Sequence, residues 1–271
     1  MTDVSHSNLG KKTLYPTQYN PSLLFAIPRK KNRQSFSSSG TPLPFHGADE
    51  WNAFECSWLN PNGKPCVAIA RFVFPCTSPS LIESKSFKLY LNSFNQTRFL
   101  NAEAVRDRMK NDLSSVAGAP VSVTLTDLSE TPIFTSWQGI CLDELNLTIL
   151  AYDVCDKTLK TSDEHAEETV YSHLLKSNCP ITEQPDWASV MIHYAGPRID
   201  HAGLLQYIVS FREHAEFHEH CVEQIFLDLM RCCQPEKLTV YARYTRRGGL
   251  DINPFRSNFE EMPVAERLIR Q

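Results

Sequence analysis

The amino-acid sequence predicts an α+β fold made of two successive units, each an antiparallel sheet packed with a pair of helices. Three observations carry this expectation. Short runs of alternating apolar residues occur in both halves; helical apolar periods come in adjacent pairs, at 84–94 with 102–113 and at 202–213 with 217–232; and the order strand, helix, helix, strand recurs. Side-chain identity does not repeat between the halves, so the duplication is one of pattern.

In chain order, residues 1–45 read as an amino-terminal arm. They are rich in Ser, Pro, Lys and Arg, include the basic run Arg29-Lys30-Lys31-Asn32-Arg33 and the stretch 35–40, and show no sustained apolar period. A solvated loop is the expectation for the basic run. The first unit spans 46–152. Its opening strands, 51–58 and 65–74, are separated by Asn60-Pro61-Asn62-Gly63, a hairpin signal. The helices at 84–94 and 102–113 follow, then a strand at 121–125 in which Val121, Val123 and Leu125 alternate with Ser122 and Thr124.

The second unit spans 153–271. It opens on the acidic stretch 153–168, holding Asp153, Asp156, Asp163, Glu164, Glu167 and Glu168, which reads as a solvated connection. A loop about Cys179, a short strand at 189–194 and the second pair of helices come next. The last strand is 238–244, where Leu238, Val240, Ala242 and Tyr244 alternate with other residues.

With 271 residues, 42% of them hydrophobic, the chain can bury one large core or two small ones. A net charge of -4 and a pI near 6.1 argue against a surface built to neutralise the phosphates of a nucleic acid, so no direct nucleic-acid partner is expected. No apolar run reaches membrane-span length and no signal-peptide core opens the chain, which points to a cytoplasmic protein with no membrane partner. Nine cysteines, an odd number without a CxxC pair, fit a reducing compartment.

Four segments carry potential chemistry. Ser177-Asn178-Cys179-Pro180 runs through Pro185 to Asp186-Trp187, so prolines restrict the backbone on both sides of a thiol. A carboxylate seven residues on can fold back as proton donor or acceptor, the second role a thiol-adduct mechanism needs. A buried cysteine in an ordinary turn is the competing account. In Glu83-Ser84-Lys85-Ser86-Phe87-Lys88-Leu89-Tyr90, Ser84 can cap a helix whose amino terminus suits a phosphate or a polarised ring, or the segment is a plain amphipathic helix. Phe217-His218-Glu219-His220 sets a histidine beside a carboxylate able to accept from a purine-like ring; His214 and His218 also have the spacing of a helical metal pair, although HExxH is absent. Finally, Arg246-Arg247-Gly248-Gly249 follows a strand, offering guanidinium forks and backbone access, or a hairpin turn with solvated arginines. No Rossmann or P-loop fingerprint is present.

Taken together, these four segments in this order resemble the NADPH-dependent 7-cyano-7-deazaguanine reductases, the nitrile reductases of queuosine biosynthesis, in the long single-chain form with two tandem tunnel-fold units. The resemblance covers nearly the whole chain. It implies that Cys179 attacks the nitrile carbon to give a covalent thioimide and that Asp186 supplies protons. It implies that Ile82, Glu83, Ser84, His218 and Glu219 bind the 7-deazaguanine substrate, and that Ser84, Lys85, Arg247 and Gly248 bind the NADPH cofactor. A homodimer is also implied; no metal is expected, because HExxH is absent and the His214/His218 pair lacks a third ligand. The alternatives are a zinc-dependent tunnel-fold cyclohydrolase, with His and Cys as ligands, and a non-catalytic purine-binding protein.

Overall fold

A computed structural model describes residues 15–34, 42–129, 134–149, 151–263 and 267–271. The chain divides into two units, each α+β with antiparallel pairing and two main helices, as expected. Among the described residues the first takes 15–34, 48–129 and 246–251, and the second takes 42–47, 134–149, 151–245, 252–263 and 267–271. The division is therefore not a single cut between 152 and 153: residues 134–149 go with the second unit and 246–251 with the first.

The first unit contains β1 (Ala26–Pro28), α1 (Arg29–Arg33), most of β2 (His46–Leu59), β3 (Pro65–Pro75), β4 (Ser80–Ile82), α2 (Ser84–Asn92), α3 (Ala102–Ala117) and β5 (Ser122–Thr126). Strands β2, β3 and β5 pair antiparallel, with Trp51 opposite Phe72 and Phe72 opposite Val123. The β2–β3 turn is the anticipated one. Gly63 takes a φ of 84°, which favours glycine, and the Asn60 carboxamide oxygen accepts from the N–H groups of Asn62 and Lys64, both at 3.0 Å.

Helix α3 buries Val105, Met109, Leu113 and Ala117, spaced four residues apart and hence on one face. Each of the three larger side chains contributes about 1.5–3 kcal/mol by leaving water. Asn101 caps the helix start, and left-handed Gly118 ends it. Helix α2 adds Phe87 and Tyr90 to an edge-packed aromatic core, with Phe87 5.0 Å from Phe72 and 5.3 Å from Trp51 between ring centroids.

The basic run is a correction to the expected solvated arm. Arg29 is 3% exposed, ion-paired with Asp49 and bonded to Ser78 Oγ at 3.1 Å; Arg33 donates to the Cys76 carbonyl at 2.8 Å. A buried charge needs such partners, so this part of the arm is held in place. The stretches 1–14 and 35–41 lie outside the described residues.

The second unit contains β6 (Ile140–Cys141), β7 (Thr161–Asn178), β8 (Pro185–Ile199), α4 (His201–Ser210), α5 (His218–Cys233), β9 (Lys237–Tyr244) and the greater part of β10 (Leu250–Ser257). Strands β7 to β10 pair antiparallel in the order β7, β8, β9, β10, and β6 adds parallel to β7. Helices α4 and α5 bury Leu204, Tyr207 and Ile208, and Val222, Ile225, Phe226 and Leu229. An Arg256–Glu223 ion pair at 2.7 Å is fully enclosed, and removing either partner strands a charge at a cost of about 3–5 kcal/mol.

Two further expectations are corrected here. The acidic stretch is a connection only in part, because β7 starts at Thr161 and its acidic residues Asp163, Glu164 and Glu167 lie on an exposed edge of the ladder. Strand β10 was not anticipated. A third feature matters for the site: β7 carries a bulge, with residues 172 to 175 facing only 190 to 188 of β8. Buried positions are accordingly even before it (Ala166, Val170, Ser172) and odd after it (Leu175, Ser177, Cys179).

Candidate active site

In the second unit, β7 and β8 form a hairpin whose ladder closes with Ser177 opposite Asp186 and Asn178 opposite Pro185. Cross-strand partners point to the same face, so Asp186 shares the inward side with Ser177, and Cys179 follows two residues later. The turn is well determined. The Cys179 N–H donates to the Gln184 carbonyl at 2.9 Å, and the Glu183 N–H donates back to the Cys179 carbonyl at 3.0 Å. Glu183 sits at a φ of 57°, a left-handed conformation that disfavours side chains other than Gly, Asn and Asp. Cys179 is 5% exposed and Asp186 4%, so both are largely withdrawn from water.

The start of α5 is tied to the same place. Asn178 donates its N–H to the His214 carbonyl at 2.8 Å and accepts from the Glu216 N–H at 3.1 Å, a short parallel bridge centred on Ala215. This brings His218 to Asp186, with Nε2 3.1 Å from Oδ2. The His218 ring lies flat on Tyr244, 3.8 Å between centroids and 5° between planes. Its Nδ1 is buried with no hydrogen-bond partner among the described residues. Tyr244 is itself fixed: its N–H donates to Asn253 Oδ1 at 3.1 Å, and Gln271 Nε2 reaches both Tyr244 O and Asn253 Oδ1. Burial pushes the Tyr244 phenol well above its ordinary value of 10.0, keeping the hydroxyl neutral. Glu219 is 4% exposed in the first turn of α5.

Around this pair the titrations diverge. Burial pushes Glu216 up, but its hydrogen bond and charge contact with His220 and the Phe217 N–H outweigh that and leave the carboxyl below its ordinary 4.5. Burial lowers His214 below 6.5 against the nearby Glu216 carboxylate. His214 and His218 do not form a helical metal pair, because α5 begins at His218 and His214 lies in extended backbone before it.

In the first unit, β4 leads through Ile82 and Glu83 into α2. The sequence assigns the cap to Ser84; the structure gives it to Glu83. Glu83 is 1% exposed, and its carboxylate accepts from the Lys85 and Ser86 N–H groups at 2.7 Å each, with Ser84 as the first helical residue. Burial raises the Glu83 pKa above 4.5, opposed by those two N–H groups and by Lys88 and Lys85.

A cavity of about 200 Å³ lies beside α2, lined in part by Lys85, Lys88, Asn92, Glu55, Gly248 and Gly249. The two glycines have φ of 57° and 70°. A Cβ at Gly248 would sit 3.3 Å from Lys88 Nζ, and one at Gly249 would displace the Glu55 carboxyl, so glycine is favoured here by the left-handed backbone and, at Gly249, by the space as well. Arg247 closes the turn through its N–H to Leu250 O at 3.0 Å, and Arg246 stacks on Phe54 with its guanidinium 4.4 Å from the ring centre.

The structure thus brings Asp186 and His218 together near Cys179 in one unit, and Lys85 and Gly248 together in the other. Sequence reasoning missed Tyr244, for which a strand-end aromatic gives no signal. It also missed Lys88 and Glu55. Lys88 was findable, since it stands three residues after Lys85 on one helix face.

Comparison with known proteins matches residues 15–125 to the family model described as "Nitrile reductase, 7-cyano-7-deazaguanine-reductase N-term" and residues 185–263 to "QueF-like protein". The chain is 56% identical over 272 residues to the NADPH-dependent 7-cyano-7-deazaguanine reductase of Bordetella pertussis, covering 99% of both chains. It is 56% identical over 274 residues to the protein of that name from Burkholderia mallei, covering 98% of both. The two matched domains follow one another as the tandem tunnel-fold units expected of that group. Identity at this level across the full length, with both domain models in order, makes the chain a member of the NADPH-dependent 7-cyano-7-deazaguanine reductase family.

Proposed function

We propose that this enzyme reduces 7-cyano-7-deazaguanine to 7-aminomethyl-7-deazaguanine with two NADPH, through a thioimide on Cys179, as a step towards queuosine in tRNA. The observation that carries the reading is the withdrawn Cys179 on a fixed turn, with the Asp186–His218 pair 3.1 Å apart on the neighbouring segments.

Cys179 adds its sulfur to the nitrile carbon while the thiol proton passes by way of Asp186 to the nitrile nitrogen, giving a covalent C(=NH)–S linkage with no atom lost. His218 holds Asp186 and relays protons to it. Two hydrides and two further protons are needed to reach the amine, and the sulfur leaves as the carbon is reduced. Bound NADPH supplies the hydride in each round. Keeping the half-reduced carbon enclosed protects it from water. Glu219 accepts from the ring N–H and exocyclic amine of the deazaguanine, and Ile82, Glu83 and Ser84 are the other substrate-binding residues of this reading.

The cavity beside α2 fits one portion of the dinucleotide: two ammonium groups, Lys85 and Lys88, suit phosphate, and the Gly248–Gly249 cradle admits a ligand where a Cβ would intrude. At about 200 Å³ it is smaller than the roughly 300–1,000 Å³ of whole-ligand pockets. Ser84 and Arg247 complete the proposed cofactor set. The proposed cofactor residues thus all fall in the first unit, which takes 246–251 from late in the chain, and Cys179, Asp186 and His218 in the second. A cytoplasmic homodimer with no nucleic-acid or membrane partner is part of the same proposal; nine free thiols support a reducing compartment, and no helix among the described residues is long and apolar enough to cross a membrane.

The test is intact mass of the protein incubated with 7-cyano-7-deazaguanine and no NADPH. One covalent adduct per chain, absent in Cys179→Ala, is expected. Turnover without an adduct, in a protein that keeps its rate after Cys179→Ala, would remove the thioimide.

A further inference from the structure

At the bulge of β7, a second set of reactive side chains converges that shares no residue with the proposed nitrile site. Cys141 ends β6, which pairs parallel with β7 so that Cys141 faces Tyr171; Asp143 follows two residues on, and His173 is one of the bulged residues. One ligand atom from each of Cys141, Asp143 and His173 lies within 4.8 Å of the others, and all three residues are half-buried. Among the described residues this is the one such group of His, Cys, Asp and Glu.

We propose that Cys141, Asp143 and His173 form a binding site for a transition-metal dication of the zinc class. The donor set is a thiolate, an imidazole and a carboxylate, which suits zinc and cobalt(II) and disfavours magnesium and calcium, whose preferred ligands are all oxygen. Ligands 2.0–2.3 Å from a tetrahedral zinc stand about 3.5 Å apart, so modest side-chain rotation closes the set. Three protein ligands leave a fourth position for water.

What lifts the cluster above coincidence is the outer layer. His173 Nδ1 is engaged by Ser189 Oγ at 2.7 Å, which fixes the ring and leaves Nε2 for the metal. Asp143 Oδ1 accepts from the Ser172 hydroxyl at 2.6 Å and from the His173 N–H at 3.3 Å, and Oδ2 accepts from the same N–H at 3.0 Å and keeps a further lone pair for a metal. Two of the three ligands are therefore held by hydrogen bonds before any metal arrives. Asp143 also takes the His173 N–H at the bulge, while the Leu174 N–H goes to Ser172 Oγ at 3.1 Å, so the cation would fasten β6 to β7 at the point where the strand changes parity.

Cobalt(II) titration of the chelator-stripped full chain tests this. About one equivalent should bind, with thiolate-to-cobalt charge-transfer absorption. Cys141→Ser should abolish the absorption and weaken binding about a hundredfold or more, and Ser189→Ala should weaken it about ten- to a hundredfold, as loss of an outer-layer partner does. Circular dichroism checks that both variants fold; Asp143→Asn is avoided because Asp143 also holds the bulge. A surface thiol capturing cobalt alone would ignore Ser189→Ala. Unchanged binding in Cys141→Ser, equal binding in Ser189→Ala, or no binding by the parent chain overturns the site.

Discussion

Helices α2 and α5 each start beside a carboxylate withdrawn from water, fully for Glu83 and partly for Glu216, and the two are treated in opposite ways. Ahead of α2, Glu83 turns onto its own helix and takes two of its backbone N–H groups, and burial wins, so its pKa is raised. Ahead of α5, Glu216 is half-buried but is held by His220, and its pKa is lowered. The first amino terminus is satisfied internally, so a ligand there must be held by lysines and a glycine cradle. The second begins on Phe217, whose side chain makes no cap, and presents His218 to Asp186. Under the proposed function, one region holds the cofactor and the other carries the reaction.

That contrast can be broken in graded steps. Cys179→Ala should lower turnover by about a thousandfold or more while leaving the dissociation constant for NADPH unchanged, measured by fluorescence titration. A parallel loss of cofactor binding would merge the two regions. Asp186→Asn should cost about 10²- to 10⁴-fold in kcat with a smaller change in KM, in steady-state kinetics. Unchanged kcat would move proton delivery elsewhere.

On the holding side, Lys85→Ala and Arg247→Ala should raise KM for NADPH about tenfold, more than for NADH, with kcat altered less. Saturation curves for both cofactors at one ionic strength decide it, and equal losses would assign these residues to the shared part of the cofactor. Glu83→Ala should lower stability by about 1 kcal/mol, the usual value of a lost cap, read from the urea midpoint.

The smallest effect is in pH. His214, lowered by burial from 6.5, takes up its proton less readily in the folded than in the unfolded chain; its contribution is full above that value and is lost as pH falls through the folded pKa. Glu216, lowered from 4.5, contributes above that value and loses its contribution at still lower pH. Urea midpoints should therefore fall on acidification, and His214→Gln should flatten the first part of that decline.

The helices were legible because a 3.6-residue apolar period survives in sequence: 102–113 and 217–232 sit within a few residues of α3 and α5. Strand β10 was hidden for the opposite reason. Its Asp251, Asn253 and Arg256 look like loop residues, yet each is buried against a named partner, Asn52, Gln271 and Glu223. Strand β7 was hidden by its bulge, which interrupts the two-residue alternation, and by acidic residues on its exposed side. At the site, Cys179 and Asp186 were readable together because a hairpin joins them. The His218–Asp186 contact was not, since it depends on the bridge between Asn178 and Ala215, which local pattern does not encode.

The bulge also makes chain length a form of information. From Leu175 to Cys179 the strand counts in odd numbers inward, so a residue inserted or deleted between them would leave composition, charge and hydrophobicity almost untouched while turning Asn178 or Pro180 to the place of the thiol. Substitutions along this stretch can be absorbed one side chain at a time. A change in the count cannot, and this segment should tolerate spelling changes far better than changes in length.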